Sequence, residues 1–232
     1  MPDSTRMTLT SITDPATLVA QKESLSYDLR QTGISLDPLP WEPSELDLVD
    51  EAVHDMQDLL GGAQALRAAI GGVTVERLEH GGGGAYAWWI SPTWRRITFG
   101  QDVLHQDPAW RGKVAVVHEL AHIWDAQSAS WLQRAVGKGG RIVSDMIAFV
   151  GAEPGPTCYG GLAAADCTFA RNPVEEWAES FAAYCYPQYI EWLHANLPSE
   201  KEAGLRPLHK EFVAAQIAAL QQTPLSTVLI AL

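Results

Sequence analysis

The chain has 232 residues, of which 47% are hydrophobic, and it carries a formal net charge of −12. This length is enough to bury a full core, so we expect one domain from residue 41 to 232, preceded by a less regular extension over residues 1–40. The charge argues against nucleic-acid binding, because an acidic surface repels phosphate groups. No segment has the roughly 20 apolar residues of a membrane span, and the first residues lack a secretory signal, so we expect a cytoplasmic protein by default, with non-classical export left open.

A helix and a small sheet are predicted in the first half of the domain. The helix runs from Ser44 to Leu60, because Ser44 begins a capping-box pattern and apolar residues then recur on one face. Residues 73–78 have the composition of a strand. Residues 85–91 and 95–100 form a predicted hairpin that turns at Pro92-Thr93.

The next predicted helix carries the most informative pattern in the chain. It starts at Asp107-Pro108, where a capping residue precedes a proline at the first helical position. Inside it, His118-Glu119-Leu120-Ala121-His122 forms an H-E-x-x-H pentad. Two histidines four residues apart lie on one helical face, so both imidazoles can bind a single Zn²⁺ while Glu119 lies beside the water site. The alternative is an amphipathic helix whose histidines are ordinary core or surface residues.

A catalytic zinc site usually has three protein ligands and one position for water, so a third ligand must come from elsewhere. A second helix is predicted with Asn172 as its N-cap and Pro173 at its first position, and Glu175 and Glu179 fall on one of its faces. This helix can offer Glu175 to the metal and leave Glu179 to hold a ligand histidine by a hydrogen bond. Glu176 is the alternative third ligand.

Structural roles and different ligand sets compete with this assignment. Asn172-x-x-Glu175 is also a capping box, in which Glu175 would fold back onto the Asn172 amide, and acidic residues in a first turn are favoured by the helix dipole alone. Asp125 and Asp166 are lower-ranked candidates for the third ligand. The metzincin extension is disfavoured, because Asp125 and Ser128 occupy the positions where that class has glycine and histidine.

The remaining predicted elements surround the two motif helices. They are helices over residues 131–136, 142–150, 189–197 and 207–222, and an irregular loop over residues 151–171. The loop contains Cys158 and Cys167, which are able to close a small disulfide-linked loop, and an odd cysteine count leaves Cys185 free.

The two motif helices together resemble the gluzincin metallopeptidases, which join an H-E-x-x-H helix to a glutamate on a later helix. The resemblance is closest to the branch whose second helix reads E-x-x-A-E-x-F, which includes lethal-factor-type toxin proteases and several groups of bacterial proteins regarded as zinc peptidases. Here that element is Glu175-Glu176-Trp177-Ala178-Glu179-Ser180-Phe181. The match covers roughly a tenth of the chain. It implies one Zn²⁺ per chain bound by His118, His122 and Glu175, with Glu119 as general base and Glu179 as support for a ligand.

The resemblance also implies an α+β, zincin-like fold, in which a small sheet packs on the H-E-x-x-H helix and the C-terminal half is mainly helical. An edge strand commonly lines the cleft in zincins, so the 85–100 hairpin is expected either to pair with an extended peptide or to be an ordinary core hairpin. Some members of the branch carry a tyrosine seven residues before the ligand glutamate, where this chain has Thr168. The oxyanion stabiliser is therefore left unassigned, with Tyr159 in the preceding loop as the first candidate and Tyr184 and Tyr186 as weaker ones.

The sequence thus predicts a zinc-dependent peptidase that acts on a peptide or protein substrate. The acidic surface favours basic or neutral substrates, or serves solubility alone. The alternative is a non-catalytic, zincin-like protein that binds a partner or uses metal only for stability. A structural zinc site normally has a fourth protein ligand, whereas this sequence offers a base in Glu119 and no obvious fourth ligand, which favours catalysis.

Overall fold

The computed structural model describes residues 15–38, 41–78, 84–91, 94–127, 139–161, 167 and 171–222. Over these ranges the protein is α+β and mostly helical. The helices are α1 (Pro15–Gln31), α2 (Pro43–Leu60), α3 (Ala63–Ile70), α4 (Gln101–Leu104), α5 (Trp110–Gln127), α6 (Arg141–Val150), α7 (Pro173–Cys185), α8 (Gln188–Asn196) and α9 (Pro207–Gln222), with a 3₁₀ turn at Pro198–Glu200. The strands are β1 (Ile34–Leu36), β2 (Val73–Arg77), β3 (Ala85–Ser91) and β4 (Trp94–Phe99).

The four strands form one sheet in the order β1-β2-β4-β3. β1, β2 and β4 are parallel, and β3 pairs antiparallel with β4 at one edge. Alternate residues of β2 are buried, as expected for a strand with one face on the core. The predicted strand and the two strands of the predicted hairpin are confirmed to within one residue, while the turn at Pro92-Thr93 lies outside the described residues.

The expectation of a less regular segment before residue 41 is wrong for its described part. Residues 15–31 are helical, and β1 is hydrogen-bonded to β2. Leu29 and Ile34 are each only 1% exposed and belong to the main core. Gly33 joins the helix to the strand with a φ of +91°, and a Cβ there would lie 2.2 Å from the Gly71 carbonyl oxygen, so only glycine fits. A strand of three residues is too short to be recognised from hydrophobic alternation.

Two predicted helix starts are corrected by the structure. α2 begins at Pro43, and the carboxylate of Glu45 accepts the backbone N–H of Glu42 at 2.8 Å, so Ser44 is not the cap. The same carboxylate lies 2.7 Å from the Arg77 guanidinium of β2, which ties the start of α2 to the sheet. α5 begins at Trp110, so Asp107-Pro108 precedes the helix and does not cap it.

α5 is buried along most of its length and packs against α2, β3 and α7. The contact with α7 has a polar anchor, because the Trp177 indole N–H donates to the Ala121 carbonyl at 2.9 Å. The Trp177 ring also packs edge to face against Trp124 and close to Phe181, with ring centroids 5.5 and 5.6 Å apart. This aromatic cluster holds the two motif helices together.

The elements around this pair agree largely with the sequence. α6, α8 and α9 begin and end within one residue of the predicted bounds, whereas the predicted helix at 131–136 lies outside the described residues. The Asp125 carboxylate accepts the backbone N–H groups of Gly140 and Val143, which fixes the start of α6 on the end of α5. Among the described helices, none combines the length and the hydrophobicity needed to cross a lipid bilayer.

Replacement of Trp177 tests the contact between α5 and α7. Trp177→Ala removes a fully buried ring and should lower the free energy of unfolding by about 3–5 kcal/mol, whereas Trp177→Phe keeps most of the packing and should cost about 1–2 kcal/mol. Urea unfolding followed by circular dichroism measures both values. Tyr27→Ala removes an exposed ring and is the control, with an expected change within about 0.5 kcal/mol. A Trp177→Ala protein as stable as the control would contradict this role.

Candidate metal centre

Two imidazoles and one carboxylate meet where α5 and α7 lie side by side. The Nε2 atoms of His118 and His122 are 3.0 Å apart, and Glu175 Oε2 lies 3.1 Å from the first and 3.3 Å from the second. The structure therefore brings together the three ligands expected from the sequence. Glu175 does not fold back as a capping-box residue, because its carboxylate contacts the two histidines, and Asn172 Oδ1 caps the helix by accepting the Val174 N–H.

The two imidazole nitrogens and the carboxylate oxygen are arranged as expected around a bound cation, and hydrogen bonds among the three side chains explain their positions less well. His118 Nδ1 lies 3.3 Å from Glu179 Oε1, so a neutral imidazole that donates there leaves only a lone pair on its Nε2 atom. His122 Nδ1 is buried and has no hydrogen-bond partner among the described residues, so that ring also presents its polar contacts through Nε2. Two ligand atoms at 2.0–2.1 Å from a tetrahedral zinc ion lie about 3.3 Å apart, close to the observed spacing.

The electrostatics of the cluster point the same way. Burial alone would lower the pKa of His118, but its contacts with Glu175 and Glu179 raise that pKa to about 10. Burial would raise the pKa of Glu175, but hydrogen bonds with His118 and His122 outweigh it and lower that pKa. Both shifts mean that the carboxylates favour a positive charge between them, which is the charge that a divalent cation brings.

Glu179 lies behind His118, where the sequence predicted a supporting residue for a candidate ligand. One of its oxygens faces His118 Nδ1, and the other accepts a hydrogen bond from the Tyr189 hydroxyl at 3.2 Å. Tyr189 was not predicted from the sequence, because a tyrosine near the start of a later helix carries no signal for this contact. Gly160 packs so closely on Glu179 that an added Cβ would lie 3.0 Å from its Cβ.

Glu176, the alternative third ligand, lies on another face of α7. Its carboxylate accepts two hydrogen bonds from Arg171, at 2.6 and 2.7 Å, and lies 2.7 Å from His209 Nε2. The other ring nitrogen of His209 lies 2.8 Å from Glu153 Oε2. One residue along a helix turns the side chain by about 100°, so Glu175 and Glu176 cannot face the same site.

The side chains of the other sequence candidates are engaged in other contacts or belong to residues outside the described part of the chain. Asp125 is engaged by backbone N–H groups at the start of α6, and the Tyr186 hydroxyl donates to an aspartate of α2. Tyr184 packs against the main core. Asp166 and Thr168 are not among the described residues.

A cleft of about 890 Å³ opens over the three ligands and is also lined by Glu119 and Tyr159. Among the described residues, the Glu119 carboxylate has no hydrogen-bond or ion-pair partner and remains available to a molecule in the cleft. The Tyr159 ring stacks over His118 with centroids 6.3 Å apart. Burial and the carboxylates of Glu175, Glu119 and Glu179 raise the pKa of Tyr159 to about 12, so its hydroxyl is a proton donor at neutral pH.

Cys158 and Cys167 form a disulfide beside this tyrosine, while Cys185 is free and half-buried. Cys158 is itself buried, against Leu193 of α8. The disulfide closes a small loop that includes Tyr159, and Cys158 packs this loop against Leu193, which lines the cleft.

A second cluster of possible ligands, Glu42, Glu45 and His105, lies away from the cleft. The Arg77 guanidinium lies 2.7 Å from Glu45 and 3.3 Å from Glu42. Because a cation already neutralises these carboxylates, they offer a weaker site for metal than the three ligands in the cleft.

Comparisons with known proteins add no family to this geometry. A scan of the chain against protein-family models gave no match, and a search of curated proteins gave none either.

The neighbouring carboxylates of α7 provide a matched test. Glu175→Gln should weaken zinc binding by more than about a hundredfold with little loss of stability. Glu176→Gln should leave zinc affinity unchanged and lower the free energy of unfolding by about 1–3 kcal/mol, because Arg171 and His209 lose a buried charged partner. Competition with a zinc chelator and urea unfolding measure the two effects. Equal loss of zinc affinity in both variants would contradict the assignment of Glu175.

Proposed function

We propose that the protein is a zinc-dependent peptidase with a zincin-like fold. The observation that carries the proposal is the convergence of His118, His122 and Glu175 at the floor of an open cleft, with Glu119 beside them and without a protein partner among the described residues. This is the arrangement of a site with three protein ligands, an access path and a base.

His118, His122 and Glu175 would hold the zinc ion. When bound, Zn²⁺ supplies a Lewis acid that polarises a peptide carbonyl and makes water acidic enough to lose a proton near neutral pH. Glu119 accepts that proton and passes it to the leaving amine. Glu179 holds His118 through its Nδ1 atom, which favours the tautomer whose Nε2 lone pair faces the site.

The Tyr159 hydroxyl is our candidate for stabilising the negative charge that develops on the carbonyl oxygen. It lies beside the ligands, interacts with Glu175 and stays protonated because its pKa is raised. A preorganised hydrogen-bond donor aimed at the oxygen where charge develops contributes strongly to such a step.

The sheet supplies a path for an extended substrate. β3 is an edge strand, and Gly84, Ala85 and Ala87 line the cleft. Small residues leave room for a second chain, and the outer edge of β3, which pairs with no other described strand, offers backbone hydrogen bonds to it. This arrangement supports strand addition by a peptide, with its scissile bond above the ligands.

A purely structural metal site is the weaker alternative. Such a site is normally closed by a fourth protein ligand, and among the described residues only three possible ligands meet here. A closed structural site needs neither an open cleft nor an available carboxylate such as that of Glu119.

Replacement of Glu119 tests the proposed base. Glu119→Gln should retain one zinc per chain and lose at least about 10²-fold in kcat on a peptide substrate, because the amide cannot accept the proton. The measurement combines metal analysis with peptide hydrolysis, and Glu211→Gln, an exposed change on α9, serves as control. Full activity in Glu119→Gln would rule out this residue as the base.

Replacement of Tyr159 tests the proposed oxyanion donor. Tyr159→Phe keeps the ring that stacks on His118 and removes only the hydroxyl, so zinc content and KM should be preserved while kcat falls by about 10²–10³-fold. Tyr27→Phe, at an exposed position on α1, is the matched control. An unchanged kcat in Tyr159→Phe would show that the Tyr159 hydroxyl does not stabilise the oxyanion.

A further inference from the structure

One end of the cleft carries a positive charge. Arg111 is the only arginine or lysine among the described residues that line it, whereas Glu119, Glu175 and Glu179 give its floor a negative charge. Arg111 is also close enough to influence the Tyr189 hydroxyl electrostatically. The protein is acidic overall, but the positively charged Arg111 lies beside the candidate site.

The Arg111 guanidinium is held by stacking, not by a carboxylate. Its central carbon lies 3.7 Å from the centroid of a Trp192 ring, and Nη1 donates to the Asp107 carbonyl at 3.2 Å. No carboxylate among the described residues lies within ion-pair distance. Stacking uses the face of the guanidinium, so the N–H groups at its edge that do not donate to Asp107 remain available to a planar acceptor such as a carboxylate.

The stacking partner is itself fixed in place. Trp192 is partly buried against Cys158, Leu193 and Ala203, in a small cluster next to the disulfide. Because Trp192 cannot move freely, the guanidinium is oriented before a ligand binds, and less entropy is lost on binding.

The position of Arg111 suits recognition of a peptide at the candidate metal centre. It lies seven residues before His118 on α5, which is nearly two full turns, so both side chains leave the helix on the same face. The separation along the helix axis is about 10.5 Å. An extended peptide advances about 3.3 Å per residue, so this distance corresponds to about three residues of substrate.

We propose that Arg111 and Trp192 form a subsite for a carboxylate of the peptide substrate, located within about three residues of the cleaved bond. The carboxylate is either the side chain of an aspartate or glutamate or the C-terminus of the peptide. The inference rests on the proposed peptidase function and names a substrate class for it. The overall negative charge of the chain suggests basic or neutral substrates. At this end of the cleft, in contrast, an acidic group of the substrate is preferred.

The first experiment profiles cleavage of a proteome-derived peptide library by mass spectrometry. Wild type should show aspartate and glutamate enriched at one fixed position, or a free C-terminus at a fixed distance from the cleaved bond. The enrichment should disappear in Arg111→Gln and persist in Arg141→Gln, a control that removes an exposed arginine of α6. Enrichment that survives in Arg111→Gln would overturn the subsite.

Synthetic peptides separate the two sources of the carboxylate. A change from glutamate to glutamine at the preferred position should lower kcat/KM about tenfold or more in wild type and little in Arg111→Gln, if a side chain is bound. Amidation of the C-terminus should have that effect if the terminal carboxylate is bound. Arg111→Glu should shift the preference towards lysine, which a merely structural role for Arg111 would not produce.

A binding measurement keeps the subsite and the peptidase function distinguishable. Dansyl-labelled peptides that differ only in glutamate or glutamine, or in a free or amidated C-terminus, are titrated into Glu119→Gln protein with and without Arg111→Gln. Tighter binding of the acidic peptide that depends on Arg111, without cleavage by wild type, would uphold the subsite and overturn the proposed function. Cleavage without any acidic preference, or equal binding of all peptides, would overturn the subsite alone.

Discussion

The buried hydrogen bond from the Trp177 indole to the Ala121 carbonyl joins the two helices on which the candidate site depends. Its acceptor lies inside the H-E-x-x-H pentad, one residue before His122, and its donor lies two residues after Glu175. Ala121 and Ala178 are both fully buried, and such small side chains allow helices to approach closely. The aromatic cluster around Trp177 then keeps the helices together. The packing of two helices in the core therefore sets the distance between the histidines and the glutamate. This distance does not depend on the conformation of a loop.

Three carboxylates of α7 have three separate roles because the helix directs them to different neighbours. Glu175 faces the two histidines, and Glu179 lies behind His118 and contacts Tyr189. Glu176 is fully buried and bonds to Arg171 and His209. The last of these fixes the first turn of α7 against α9. Fixing Glu176 also fixes the direction of Glu175, since the two are adjacent on the helix. A charged network away from the cleft thus helps to orient a ligand within it.

Local patterns in the sequence predicted the parts of the site that depend on helical spacing. The pentad, the cap at Asn172 and the common face of Glu175 and Glu179 follow from residues a few positions apart, and the structure places them as expected. Contacts between distant segments were not predictable in this way. Tyr189 bonds to Glu179 and Arg111 stacks on Trp192 only in the folded chain, and no short pattern in the sequence records either contact. The start of α2 differs from the prediction for the same reason, because Glu45 of the observed capping box also contacts Arg77 and His105, which are distant in the sequence.

The central claim is that His118, His122 and Glu175 bind one zinc ion. A crystal of the protein grown with zinc, measured on both sides of the zinc absorption edge, tests it most directly. We predict one strong anomalous peak at 2.0–2.2 Å from the two Nε2 atoms and a Glu175 oxygen. A peak at Glu42, Glu45 and His105 instead, or no peak in the cleft of crystals that contain zinc elsewhere, would contradict the claim.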